Sequence, residues 1–300
     1  MYRIRFVPLD ALLLLMTLIW GVNFTLVKVA VRSIPELPFN ALRLVVAAAA
    51  FLAVLVVREG RPRFSRGEWW RVLKLALVGH VIYQLCFLGA VARTSVASTS
   101  LIFAFTPITV ALITAAAGHD RVTGTQWIGA VISLLGIGFV VGAGSREEST
   151  VAGDALAVAA MACWAIYTVA SRSLLTRHSP LAVTGYSLAI GAALYVPLAW
   201  GGLTGMTWSA VPHSAWIAAV ASGLFALFVS YLIWYTAVRA VGSTHTAIYS
   251  NVTPVVAMVV AAAWLDEPLT LMKVAGTAAV ILGVAVTRVE RAGEEPPSKG

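Results

Sequence analysis

The sequence predicts an all-α integral membrane protein of ten transmembrane helices, arranged as two inverted five-helix repeats. Three observations carry that prediction. Of 300 residues, 60% are hydrophobic and only 11% charged, with a mean hydropathy of +0.88, too little charge to cover the surface of a soluble domain. Ten stretches are long enough to cross a hydrocarbon core of about 30 Å, which takes roughly 20 helical residues. The chain also reads twice. Trp20 and Lys28 answer to Trp164 and Arg172 at an offset of 144, and Pro107, Gly129 and Gly136 answer to Pro254, Gly276 and Gly283 at an offset of 147. The loop near residues 201–213 absorbs the difference. Five spans is an odd number, so the second copy enters from the opposite face. Inverted repeats about a central site are the build of carriers that alternate access.

The spans, in order, are 9–30, 38–57, 72–92, 95–117, 125–143, 154–174, 180–200, 215–237, 244–264 and 270–288. They divide the chain into a cytoplasmic N-terminus (1–8), a first repeat (9–143), an extracytoplasmic linker (144–152), a second repeat (153–288) and a disordered cytoplasmic tail (289–300) that is charged and Pro-containing. All spans are expected to be helical, because open strand edges cannot be satisfied in lipid, and the alternation of a barrel strand is missing. The opening MYRIRF and its apolar run lack a small-x-small cleavage site, so the run reads as a retained first helix. Gly129, Gly136, Gly138 and Gly142 in the fifth span, like Gly276 and Gly283 in the tenth, let helices approach closely.

The net charge of +8 is distributed as topology demands. Fifteen of the 21 Lys and Arg fall on one side, including the basic loop 58–74 with its interfacial Trp69 and Trp70. This is the positive-inside pattern with both termini cytoplasmic, and it argues against nucleic acid as a partner. The expected partners are the lipid bilayer and a small-molecule substrate, for a monomer or homodimer. Cys86 and Cys163 fall inside spans, where they act as small apolar fillers. No metal-ligand spacing, phosphate loop or nucleophile–base pair is evident, so neither a cofactor, a metal nor an enzymatic activity is expected. Asp10, Asp154, Asp266 and Glu267 all lie at span ends, which leaves no mid-span carboxylate for proton antiport.

Candidate ligand residues follow from depth. His80 lies about 12 Å into the third span at 1.5 Å per residue, and an ionisable group there is a functional candidate by default. Its helix face carries Tyr83, Gln84 and Phe87. Trp20, with Asn23 and Phe24 on its face, and Trp164, with Tyr167 and Thr168, are symmetry mates near mid-span; they form either two aromatic walls around a ligand or ordinary core. The eighth span offers Ser230, Tyr231 and Trp234, with Leu227 where the third has His80. Pro107 and Pro254 kink the fourth and ninth spans, as hinges or as static shaping of a cavity. Thr99, Ser100 and Phe103 precede the first kink and Thr246, Tyr249 and Ser250 the second; their hydroxyls line the pathway or bond back to their own helices. Lys28 and Arg43 are placed near the outer ends of their helices, as interfacial anchors or as vestibule charges attracting a substrate carboxylate.

The run Trp20-Gly-Val-Asn-Phe with Lys28, Pro38-Phe-Asn-Ala-Leu-Arg43, Thr244-His-Thr-Ala-Ile-Tyr-Ser-Asn-Val-Thr-Pro254 followed by Glu267-Pro-Leu-Thr270, and Gly276 through Gly283 together resemble the drug/metabolite transporter superfamily in its EamA-like branch. The likeness covers about residues 9–288. It implies ten helices, inverted repeats and export of small metabolites. Within the branch the chain looks most like bacterial exporters of aromatic and other neutral amino acids, working in the inner membrane as facilitators or with weak proton coupling. A multidrug or nucleotide-sugar type carrier of the same superfamily is the alternative. Small multidrug-resistance relatives carry an acid in the first helix where this chain has Trp20-Gly-Val-Asn-Phe, a departure that argues against cation-drug antiport.

Overall fold

A computed structural model of the chain describes residues 8–60, 64–117 and 150–286, with positions 124, 128, 129, 131, 132, 135 and 136. Among these residues every regular element is a helix. Seven helices are long and apolar enough to cross a membrane: α1 (Leu9–Ala30), α2 (Glu36–Arg58), α3 (Arg66–Arg93), α4 (Val96–Ala116), α5 (Val151–Leu175), α6 (Pro180–Gly205) and α7 (His213–Val241). Two shorter apolar helices follow, α8 (Thr253–Leu265) and α9 (Leu271–Val286). Most of the expected fifth span (125–143), with Gly138 and Gly142, lies outside the described residues, as do the first seven residues and the tail. Helix α5 begins at Val151 on a Thr150 cap, inside the segment assigned from sequence to the linker.

Starts are set by capping chemistry. Ser65 and Glu68 form a reciprocal capping box at α3, and Ser95 and Ser179 accept from backbone N–H groups of α4 and α6. A long-range cap is added at α4. Asp266 takes a left-handed turn (φ 55°) at the end of α8, a conformation Asp tolerates. The next residue, Glu267, accepts from the N–H of Val96 (3.0 Å) and Ala97 (3.3 Å). Its negative charge meets the positive end of the α4 dipole, so Glu267 of the second copy anchors a helix of the first.

The helices are apolar outside and mixed inside. On α1, Leu12, Leu15 and Leu18 face outward while Leu13, Met16 and Thr17 are fully buried. Asn23, Asn40, Arg43, His80 and Gln84 are all buried. This is the distribution a hydrocarbon solvent requires.

Irregular backbone falls at matching places. Helix α3 widens into a π-helical stretch at Leu77–Ile82, and α7 does so at Ser222–Val229; shifted by 147, the first stretch lands on 224–229. Such widenings interrupt the i→i−4 ladder and cluster at functional sites. Helix α4 breaks after Phe103 and resumes at Thr106, with Pro107 in its new first turn. Before α8 stand a short helix (Ser243–Ala247) and a 3-10 stretch (Ile248–Val252), and Pro254 opens α8 in the same way. At both prolines the regular α-helical ladder is interrupted, by a two-residue turn before Thr106 and by the 3-10 stretch before Thr253, since proline brings no N–H and clashes with the preceding turn.

Packing is reciprocal between the copies. Helix α3 lies along α5 as α7 lies along α1; α1 lies along α8 as α5 lies along α4; α2 and α6 lie along each other. Close approach depends on glycine. A Cβ on Gly191 of α6 would collide with the His80 Cβ of α3. Gly191→Ala is therefore expected to lower stability by about 1–3 kcal/mol, the usual cost of overpacking, whereas Gly67→Ala, which meets nothing within 4 Å, should leave it unchanged. Thermal melts of the two variants in detergent check the contrast.

Candidate functional site

A chamber opens where the copies meet. The first contributes Trp20, Asn23 and Phe24 from α1, Arg43 from α2, Tyr83, Gln84 and Phe87 from α3, and Phe103 and Thr106 from the two sides of the α4 break. The second contributes Trp164 from α5, Ala226, Leu227 and Tyr231 from α7, and Ser250 and Thr253 from the segment entering α8. The chamber encloses ≈ 50 Å³, room for a few waters at roughly 10–15 Å³ each.

Rings build its walls. The symmetry mates Trp20 and Trp164 meet edge to face with centroids 5.5 Å apart, and Trp234 closes a triangle at 5.3 Å from Trp20 and 5.5 Å from Trp164. Phe24, Phe87 and Phe103 form a second triangle with separations of 5.5–6.0 Å. Edge-to-face contacts at such distances add to the area buried and fix ring orientation. The indole N–H of Trp20 donates to the Ala226 carbonyl (3.0 Å), in the π-helical stretch of α7. The Asn23 amide oxygen accepts from Ser222 at the start of that stretch. Gln84 Nε2 comes within 3.5 Å of the Tyr231 hydroxyl.

His80 stands behind this wall. Its Nε2 lies 3.0 Å from the Tyr167 hydroxyl and 3.2 Å from Ser187 Oγ, and those two oxygens are 2.9 Å apart. The closed triangle ties α3 to α5 and α6. The imidazole reaches the chamber through Tyr231, whose ring is 5.9 Å away. Tight backbone makes room: a Cβ on Gly79 would stand 2.5 Å from the Tyr167 ring.

Of the residues singled out from sequence, Trp20, Asn23, Tyr83, Gln84, Phe103, Trp164 and Tyr231 line the chamber, and His80 and Tyr167 back it. Others lie elsewhere. Ser100 is buried and bonds back to Ala97 O (3.0 Å), the alternative that lipid makes attractive for a hydroxyl. Tyr249 donates to Asp10 Oδ1 (2.6 Å) and so pins the start of α1 to the segment before α8. Lys28 is an anchor, its ammonium donating to Val91 O (2.8 Å) and Thr94 O (2.7 Å) at the C-terminal end of α3, where carbonyls lack helical partners. Arg43 corrects the expectation of a vestibule charge. Helix α2 starts at Glu36, so Arg43 sits roughly 10 Å along it; its side chain turns inward, 1% exposed, onto the chamber. Thr106 and Thr253 also line the chamber without having been singled out. The signal was present: Thr-Pro occurs at 106–107 and again 147 residues on.

Helices long enough for a bilayer, lipid-facing apolar flanks and a polar chamber between two copies define a multi-pass membrane transporter. The chain belongs to the EamA-like transporter family, whose profile matches it twice, over residues 8–142 and 151–289. It is 27% identical to the uncharacterized transporter YyaM of Bacillus subtilis (strain 168) over 269 residues, spanning 88% of each chain. An uncharacterized transporter of Archaeoglobus fulgidus is 27% identical over 89% of this chain and 94% of its own. A probable terminal-alkyne amino-acid exporter of Streptantibioticus cattleyicolor is 26% identical over 91% of this chain and 90% of its own. A solved crystal structure shares the fold at a TM-score of 0.69, with 20% identity over 95% of this chain and 99% of that one.

The Lys28 contacts make a stability prediction. Lys28→Met strips two carbonyls at the end of α3 of their charged donor and should cost about 1–3 kcal/mol, read as an earlier midpoint in a detergent melt; an unchanged midpoint would show the contact to be idle.

Proposed function

We propose that the protein exports small metabolites, aromatic and other neutral amino acids foremost, across a bacterial inner membrane, by alternating access through ten helices in two inverted repeats. The chamber carries the reading. It is walled by both copies, ringed by aromatic faces that suit an aromatic or aliphatic side chain, and dotted with amides and hydroxyls that suit a polar head. The reciprocal packing of α1–α4 against α5–α8 and the twofold match to the family support the inverted repeat. The exporter of S. cattleyicolor, itself described as handling an amino acid, supports the substrate class.

Alternating access gives the irregular segments their use. In this reading the chamber walls move as cargo enters from one side and leaves by the other. The π-helical stretch of α7 and the segments at Pro107 and Pro254 supply lining residues, and that of α3 ends at Ile82 beside the lining Tyr83; backbone with an incomplete hydrogen-bond ladder bends at least cost. No acid stands among the lining residues, which favours a facilitator or weak coupling; His80, behind Tyr231, is the histidine a proton path would use. The positive-inside pattern supports a cytoplasmic place for both termini.

The test is uptake of labelled phenylalanine and threonine into liposomes carrying the purified protein, with and without a pH gradient. Saturable uptake under both conditions is expected, and His80→Ala and Trp164→Ala should each lower it about tenfold or more, a change worth roughly 1.4 kcal/mol. Uptake of neither amino acid would overturn the substrate class, and uptake only with the gradient would overturn the uncoupled mechanism.

A further inference from the structure

The chamber holds a charge that has no counter-ion among the described residues. Arg43 is the one charged residue among the fifteen that line it, and none of the others is an acid. Among the described residues no carboxylate lies within 4 Å of its guanidinium. Its protein contacts are modest for a group with five N–H donors. Nη1 donates to Asn40 Oδ1 at 3.2 Å, and Cζ lies 5.5 Å from the centroid of Phe39 and 6.0 Å from that of Phe87. Nε has no partner, although the residue is 1% exposed. Burying an arginine this way is costly, and inside a membrane such residues mark substrate pathways. A second orphan has the opposite character: Gln84 Oε1, a buried acceptor on the same chamber, also has no partner.

We infer that Arg43 is the anchor for a carboxylate carried by the cargo, with Gln84 receiving its ammonium group. This rests on the amino-acid reading and sharpens it: the chamber selects a zwitterion, and the aromatic faces of Trp20 and Trp164 take the side chain. A guanidinium meets a carboxylate through two parallel N–H···O bonds, which a lone hydroxyl or an amine cannot match. A neutral amide oxygen suits the ammonium, since an acid beside Arg43 would quench the anchor. The lining residues thus recognise amino acids and reject the corresponding amines.

The experiment uses the full-length protein in detergent and reads intrinsic tryptophan fluorescence, to which Trp20 and Trp164 report directly. L-phenylalanine, 3-phenylpropanoate (no ammonium) and phenethylamine (no carboxylate) are titrated. The amine is expected to bind about 10- to 100-fold more weakly than phenylalanine, the range for losing a charge-assisted pair. Arg43→Gln should weaken phenylalanine and phenylpropanoate by a similar factor and leave the amine nearly unchanged, and Arg43→Lys should fall between. Threonine against threoninol, read as a thermal shift, repeats the contrast with a non-aromatic cargo. Because the ligand series is run on the unaltered protein, a variant that fails to fold does not blunt the test. Amines that bind as tightly as their parent amino acids, or an Arg43→Gln protein that binds the acids like the unaltered one, overturn the assignment while leaving amino-acid export intact. Carboxylate-dependent binding without saturable uptake in liposomes overturns export while leaving Arg43 in its role.

Discussion

In hydrocarbon there is no water to finish a hydrogen bond, and that single deficit organises this protein. Every backbone carbonyl and amide must be satisfied within the fold, which dictates helices, and every interruption of a helix must be made good by something specific. At the head of α4 the repair is Glu267, reaching across from the loop after α8. At the end of α3 it is Lys28, arriving from α1. In the π-helical stretch of α7 it is the Trp20 indole, which takes up the Ala226 carbonyl. Each repair joins elements far apart in sequence, so the polar accounting of the backbone also holds the tertiary structure together.

The same deficit separates two kinds of buried polar side chain. Thr99, Ser100, Thr114 and Ser250 hand their hydroxyl protons to a carbonyl three or four residues back and are thereby neutralised within their own helix. Tyr167, Ser187 and the Nε2 of His80 bond one another. On the chamber wall the Arg43 Nε, the Gln84 Oε1 and the Thr253 Oγ1 are left without a partner among the described residues.

How much of this was legible in the sequence depends on the kind of information. Helices could be read because composition and span length have one solution in lipid, and the duplication could be read because Trp20/Trp164 and Pro107/Pro254 recur at nearly constant offsets. The duplication and a mid-span position pointed to Trp20 and Trp164, and the helix face of His80 pointed to Tyr83 and Gln84; all four line the chamber. Azimuth was harder. His80 and Tyr83 lie one turn apart, yet the π-helical stretch ending at Ile82 rotates one relative to the other, so that Tyr83 faces the chamber and His80 faces Tyr167 and Ser187. A periodicity of 3.6 cannot foresee such a rotation. Arg43 was misread for a simpler reason. An arginine eight residues into α2 looks as though it should snorkel; Phe39 and Asn40 stand one turn back on the same helix, but nothing in α2 reveals that Phe87 of α3 closes over it. Ser187, an ordinary hydroxyl on a featureless face of α6, carried no signal at all.

The interleaving of the copies has a consequence for motion. The His80–Tyr167–Ser187 triangle binds one helix of the first copy to two of the second, and α2 lies along α6. Two segments of chain so entangled cannot slide past one another as blocks without tearing the bonds that close their interior. Any motion that keeps these bonds carries helices of both copies together.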